Sequence, residues 1–253
     1  MSRRLFLRLG LYGSPFLVAG HALAIEPNWL KVRRMRLCEG EPSCRFVHFT
    51  DLHYKGDREG TLELVRKINA QKPDFVCFTG DLVEEAEPLG AALEILQGIN
   101  APLYGVPGNH DYWSGADFKS IAKAFAKTGG AWLEDEAVVP KLGGGINLIG
   151  LTCTHGVPAG LATRGRNLVL IHYPDFVDRL AGVRAELVLA GHTHGGQVRV
   201  PFFGPLILPR EGKHYDLGLF QTRAGPLYVS SGVGWFYLNL RFNCRPEIVV
   251  FEI

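Results

Sequence analysis

The sequence predicts a layered α/β domain, and three observations carry that expectation. From residue 44 onward, short apolar runs alternate with stretches of helical period. Asp, Asn and His residues gather directly behind the apolar runs, at the carboxyl ends of strands, where α/β sheets assemble their sites. A chain of 253 residues with 47% hydrophobic side chains is long and apolar enough for one large domain of this kind.

Strands are expected at Arg45–Thr50, Phe75–Thr79, Leu103–Val106, Asn147–Leu151, Leu168–Ile171, Leu187–Ala190, Tyr228–Ser230 and Ile248–Glu252. Between them, Leu64, Val65 and Ile68 recur at helical spacing. Leu89, Ala92, Leu93 and Leu96 do so behind Pro88, a residue suited to a first turn. Phe118, Ile121, Ala122 and Phe125 mark a third helix, and Phe176 with Leu180 a shorter one. No internal repeat interrupts the pattern, so residues 26–253 are expected to form a single domain.

The amino terminus is different in kind. Residues 1–36 carry seven basic groups against Glu26 alone, whereas the remainder holds 20 basic and 24 acidic side chains. A basic, apolar front on a mildly acidic body suits anionic lipid rather than nucleic acid. Ser2-Arg3-Arg4-Leu5-Phe6-Leu7-Arg8 resembles a twin-arginine export signal, and Ala22-Leu23-Ala24 has the small-x-small form of a cleavage site. Gly10, Gly13, Pro15 and Gly20 break the apolar stretch too often for a spanning helix. Residues 1–25 are therefore expected to be a cleaved signal or an amphipathic anchor lying in the membrane surface.

Five cysteines without a C-x-x-C pair indicate neither a disulfide framework nor a cysteine zinc site. Cys77 and Cys153 are expected in the core, and only Cys38 and Cys44 are close enough in sequence to pair.

The chemistry lies at five strand ends. Asp51-x-His53 follows the first strand, Gly80-Asp81 the second and Gly108-Asn109-His110-Asp111 the third. His172 follows the fifth and Gly191-His192-x-His194 the sixth. Two metal ions held close together need a bridging carboxylate, neutral nitrogen ligands and open positions for water and substrate. An aspartate at a strand end can bridge, because its two oxygens can each face an ion. Histidine nitrogen suits zinc, iron and manganese, while asparagine oxygen tolerates manganese or magnesium. Glycine beside the ligands allows a sharp turn and a close backbone approach. His48, on the alternate strand face from Val47 and Phe49, is expected to be structural. His155 and His214 are expected in loops, and His21 in the amino-terminal segment.

This ordered set of five blocks across residues 51–194 resembles the calcineurin-like metallophosphoesterase superfamily. The resemblance implies a layered sandwich of two mixed β-sheets flanked by helices. It implies that Asp51, His53 and His194 hold one divalent ion and Asn109, His172 and His192 the other, with Asp81 bridging. Manganese is favoured, and iron, zinc or magnesium would also fit. His110 would face the substrate as a catalytic residue while metal-activated hydroxide attacks phosphorus in line. Asp111 is a second catalytic candidate. Many relatives carry an aspartate three residues after the bridging one, where this chain has Glu84, so either Glu84 or Asp111 would orient His110.

Further blocks are similar to a membrane-associated bacterial branch of that superfamily: Ile25–Leu30, Gly191–Val198, Pro201–Pro209, Tyr228–Gly234 and Arg241-Phe242. That branch includes a twin-arginine-exported phosphoesterase and enzymes that cleave UDP-2,3-diacylglucosamine in lipid A synthesis. The likeness implies a phosphorylated small-molecule or lipid-linked substrate. It also implies a place at the bacterial inner membrane, or export to the cell envelope by the twin-arginine route. Ser230-Ser231-Gly232 stands where the branch has Ser-Arg-Gly, so a phosphate-binding arginine is missing there. Phe202–Leu208 with Trp235, Phe236, Tyr237 and Leu238 would form an apolar rim or cap the core. Arg199, Arg210, Lys213 and Arg241 would bind phosphate or form a solvated face. Nucleic acid is not expected, because aromatic and basic residues are not interleaved. A metal-free scaffold would have lost ligands, and all seven are present.

Overall fold

The computed structural model describes residues 16–142, 144–154, 157, 158, 161, 165–180 and 182–253. Two six-stranded mixed sheets face each other and are flanked by helices, the expected layered sandwich. The first sheet runs in the order β1 (Lys31–Arg36), β14 (Glu247–Glu252), β2 (Arg45–Phe49), β3 (Phe75–Phe78), β4 (Leu103–Gly105) and β5 (Ala131–Trp132). The second runs β12 (Gly218–Gln221), β13 (Pro226–Val229), β9 (Leu187–Ala190), β8 (Arg166–Leu170), β7 (Ile146–Gly150) and β6 (Glu136–Val138). β2 to β5 are parallel, as are β7, β8, β9 and β13, so each sheet sends several carboxyl ends to the same edge. A separate two-stranded ribbon pairs β10 (Arg199–Val200) with β11 (Gly204–Pro205).

Alternation along β2 shows how the layers are filled. Val47 and Phe49 point to the helices α1 (Arg58–Ala70), α2 (Leu89–Leu96) and α3 (Phe118–Lys127), while Phe46 points between the sheets. There it stacks on Phe75 and Phe251 and shares a core with Leu168, Leu170, Leu187 and Leu189 of the second sheet. His48 lies fully buried with its Nε2 2.9 Å from Thr79 Oγ1, and burial pushes its pKa down to about 3. α1 begins at Asp57, whose side chain accepts the Gly60 N–H.

Some elements depart from expectation. Lys31–Arg36, counted among the lipid-facing charges, is an edge strand on β14, and its Arg33 pairs with buried Glu247 at 2.9 Å. Its four basic side chains hid it from a search for apolar runs, although charge is common on an exposed sheet edge. The helix expected around Phe176 is a 3₁₀ segment, Pro174–Arg179. Cys38 and Cys44 do not pair; both thiols are free. Ala22, within the segment expected to be a signal or anchor, is buried, and its carbonyl accepts the Arg241 N–H at 3.0 Å. The export motif at residues 2–8 and His155 lie outside the described residues.

Arg241 is the main correction. It faces neither phosphate nor solvent: its guanidinium is buried and donates to the carbonyls of Ser231, Gly232, Gly234 and Cys244. Arg199 is likewise engaged, with Asp216 at 2.8 Å and the Gly195 carbonyl at 2.9 Å. The loop that Arg241 ties down donates the Val233 and Gly234 N–H groups to the carbonyls of Thr50 and Asp51. Replacing Arg241 strands three buried carbonyls, each worth about 1–3 kcal/mol, and a part-buried fourth. Arg241→Met should therefore lower stability by at least ~3 kcal/mol in urea unfolding, a loss that a merely surface-exposed arginine would not produce.

Candidate metal centre

The strand ends are locked together before any side chain acts. Beyond β2 and β3 the backbone continues to pair: Asp51 N–H to Gly80 O, His53 N–H to Asp81 O and Tyr54 N–H to Leu82 O. At Gly80 (φ +94°) a Cβ would fall 2.5 Å from Gly108 N and 2.8 Å from His172 Nδ1. At Gly191 it would fall 2.1 Å from Thr50 Oγ1. Only glycine permits the two loops to approach this closely.

Five of the seven expected ligands sit in the left-handed region: Asp51 (φ 54°), His53 (43°), Asp81 (61°), His192 (71°) and His194 (48°). Asp and His tolerate this conformation better than most residues, yet each still costs on the order of 1–3 kcal/mol. The reward is convergence. Asp51, His53 and His194 form one cluster, and Asp81, His172 and His192 a second. Asn109 Oδ1 joins the second at 3.0 Å from His172 Nε2. Asp81 lies between them, its Oδ2 3.5 Å from His53 Nε2 and 3.2 Å from His172 Nε2.

The hydrogen positions decide what the clusters need. His172 Nδ1 lies 2.7 Å from the Thr79 carbonyl, which can only accept, so Nδ1 carries hydrogen. Nε2 faces two acceptor oxygens, Asp81 Oδ2 and Asn109 Oδ1, and would turn a lone pair to a cation once its own proton is displaced. His53 Nδ1 lies 2.6 Å from Glu84 Oε1, while its Nε2 faces into the cluster, 3.0 Å from His194 Nε2. His192 Nε2 is buried without a hydrogen-bond partner. Each cluster is thus a group of lone pairs aimed at one another, stable only around positive charge. The donor set fits two divalent cations, whose first shells would be these seven residues.

The titrations carry the same demand. Burial opposes charge on His172, but Asp81 and Asp51 raise it to about 9. His192 goes the other way, pushed down to about 3 by burial and by the neighbouring His172 charge. Burial also holds His194 well below its usual value. Neutral His192 and His194 keep ligand lone pairs available.

Glu84 and Asp111 divide the roles left open by the sequence. Glu84 Oε2 lies 2.9 Å from His110 Nδ1 while its other oxygen faces His53, so one carboxylate orients both imidazoles. Burial opposes its charge, yet His110 and His53 hold Glu84 below the usual carboxylate range. In turn Glu84 and Asp81 raise His110 against its burial. Asp111 does not reach the His110 ring. Its carboxylate accepts the N–H groups of Asp81, Leu82 and Gly108, so it holds backbone and not the His110 ring, the contact the sequence left open between Asp111 and Glu84. Two contacts had no signal in the sequence. Phe236 packs 4.8 Å from the His110 ring, and Lys55 joins Glu84 to the carbonyls of Trp235 and Phe236.

Comparison with known proteins places this geometry. Residues 44–196 match the calcineurin-like phosphoesterase family, Metallophos. The chain is 30% identical to the metallophosphoesterase YkuE of Bacillus subtilis (strain 168), over 100% of this chain and 98% of that one. It is 31% identical to phosphodiesterase YaeI of Escherichia coli (strain K12), over 92% of each. A dimetal phosphatase from Danio rerio shares the fold with a TM-score of 0.50 at 12% identity, over 76% of this chain and 88% of that one.

If Asp81 bridges, one substitution should empty both positions. Asp81→Asn keeps the shape and the contact to His110 N–H but removes the shared charge. Elemental analysis of protein refilled with manganese should fall from about two ions per chain to below one, with circular dichroism unchanged.

Proposed function

The chain belongs to the calcineurin-like phosphoesterase family and is a metal-dependent phosphoester hydrolase, and within that class we propose that it is a phosphodiesterase working at a membrane surface. The observation that carries the chemistry is the Asp81 carboxylate standing between two clusters of lone pairs, a frame for two cations. When bound, such ions supply an activated water and neutralise charge that builds on phosphate oxygens.

The chain's own residues do the rest. His110, its Nδ1 held by Glu84, presents Nε2 as a proton donor towards the leaving oxygen. Glu84 also fixes His53, so the donor and a metal ligand cannot move independently. Phe236 and Trp113 pack 4.8 and 4.9 Å from the His110 ring, restricting its rotation and the access of bulk water.

Support for the membrane comes from the ribbon β10–β11 and its neighbours. Phe202, Phe203 and Ile207 are 106%, 87% and 80% exposed, and Tyr237 and Leu238 lie exposed close by in the chain loop that Gln197 binds. A cluster of this kind beside the site suits an interfacial anchor with a lipid-linked substrate such as UDP-2,3-diacylglucosamine. Among the described residues no helix is long and apolar enough to cross a membrane.

Manganese-refilled protein should hydrolyse bis-p-nitrophenyl phosphate, and Asn109→Ala should reduce kcat/KM by at least ~100-fold. Absence of metal-dependent turnover across diesters, p-nitrophenyl phosphate and the acylated nucleotide would refute the hydrolytic assignment. Separately, Phe202→Ser with Phe203→Ser should weaken co-sedimentation with anionic lipid vesicles at least ~10-fold while leaving hydrolysis of the soluble diester unchanged. Equal vesicle binding by the double variant would remove the ribbon from the membrane assignment.

A further inference from the structure

Two unequal spaces lie near the candidate metal centre, the larger one behind the fully buried side chain of His53. On the side of Asn109 and His172 lies a pocket of about 220 Å³, walled by Tyr112, Trp113, Thr152, Thr154 and Tyr173. On the side of His53 lies a groove of about 510 Å³, whose walls include Lys55, Asp57, Lys67, Trp235 and Asn239. His110 stands between them, touching Trp113 of the pocket and Phe236 of the adjoining loop.

The two spaces differ in chemistry as well as size. In the pocket, Thr152 Oγ1 is engaged by Asp135 at 3.0–3.1 Å and by Thr154 Oγ1 at 2.8 Å. Those hydroxyls are turned to each other and to the carboxylate, which leaves the rings of Tyr112, Trp113 and Tyr173 as the pocket's main offering. Tyr173 is itself held edge-on by His192, with ring centroids 4.6 Å apart. Aromatic walls around a narrow space favour a flat ring, stacked or edge-on. At about 220 Å³ the pocket is smaller than a typical site for a whole ligand, so it suits one substituent. The groove is lined more by polar side chains, with Lys55, Asp57 and Lys67 each already bonded within the chain and Asn239 beside the Trp235 indole, which suits a larger polar portion.

From this asymmetry the geometry assigns the Tyr112–Trp113–Tyr173 pocket to a planar ring, aryl or nucleobase, attached to one side of a phosphodiester whose larger polar arm lies in the Lys55 groove. The assignment rests on the phosphodiesterase reading above and specifies its substrate. A phosphorus over Asp81 directs one substituent each way, and a monoester would fill only one of the two spaces. The ring pocket shares Asn109 and His172 with the metal centre, so a ring seated there also orients the phosphate against the cations.

Two measurements on manganese-refilled protein test this. Calorimetric titration compares phenylphosphonate with methylphosphonate, and kinetics on bis-p-nitrophenyl phosphate and methyl p-nitrophenyl phosphate checks the diesterase activity itself. Wild type should bind phenylphosphonate at least ~10-fold more tightly than methylphosphonate. Thr154→Trp, which fills the pocket, should cut that preference at least ~5-fold and leave methylphosphonate affinity unchanged. Trp113→Ala, which removes a wall, should reduce the preference in the same direction. Turnover of both esters with equal affinities for the two phosphonates in wild type would overturn the pocket alone. Equal loss for both phosphonates in Thr154→Trp would also overturn it. No metal-dependent turnover of either ester by wild type would instead overturn the diesterase reading on which the pocket rests.

Discussion

The site depends on the carboxylate of Asp81. Its Oδ1 accepts the His110 N–H at 2.8 Å, so the same side chain that stands between the clusters also fixes the helix start that carries Asn109 and His110. Its Oδ2 faces His53 from one sheet and His172 from the other. A carboxylate buried among imidazoles would be costly alone, and their positive charge holds Asp81 ionised against that burial. The two sheets therefore meet at a charge that neither could bury by itself.

The surrounding backbone is shaped to deliver that charge. Left-handed conformations at Asp51, His53, Asp81, His192 and His194 turn the chain back at strand ends so that side chains on different loops point inward. Such conformations persist only where neighbours over-determine them. Here the constraints are specific: Asp111 gathers three N–H groups, Gly80 lets the Gly108 loop come within contact, and Arg241 fastens the loop that carries Val233 and Gly234 onto Thr50 and Asp51. Much of the polar hydrogen bonding nearby thus serves to hold geometry, and only the inner nitrogens and oxygens remain for ligation. Glu84 belongs to both groups, because its two oxygens face His53 and His110 with one side chain.

Legibility in the sequence followed burial. Strands buried on both faces, such as β3 and β9, are uninterrupted apolar runs, and their ends could be placed to within a residue. β1 was invisible because an edge strand needs no apolar run, and its arginines read as a charge cluster. The 3₁₀ segment at Pro174–Arg179 read as a helix because a single buried turn and the first turn of a longer helix share the same spacing. Arg241 misled for a related reason: a guanidinium surrounded by carbonyls leaves no mark in the linear chain.

The sequence by itself determined the class of the fold and the inventory of chemistry. Apolar periodicity sets layers, and Asp, Asn and His behind strand ends can only be presented at one edge of a parallel sheet. What the tertiary structure alone decided was the partnership of those groups. That Glu84 and not Asp111 meets His110 depends on which side chain reaches across a gap of a few ångströms. That two spaces of unequal size open beside the centre depends on how Trp113, Tyr173 and the Trp235–Leu238 loop pack around it. Local spacing encodes direction along the chain, whereas distances between loops far apart in sequence emerge only when both sheets are packed.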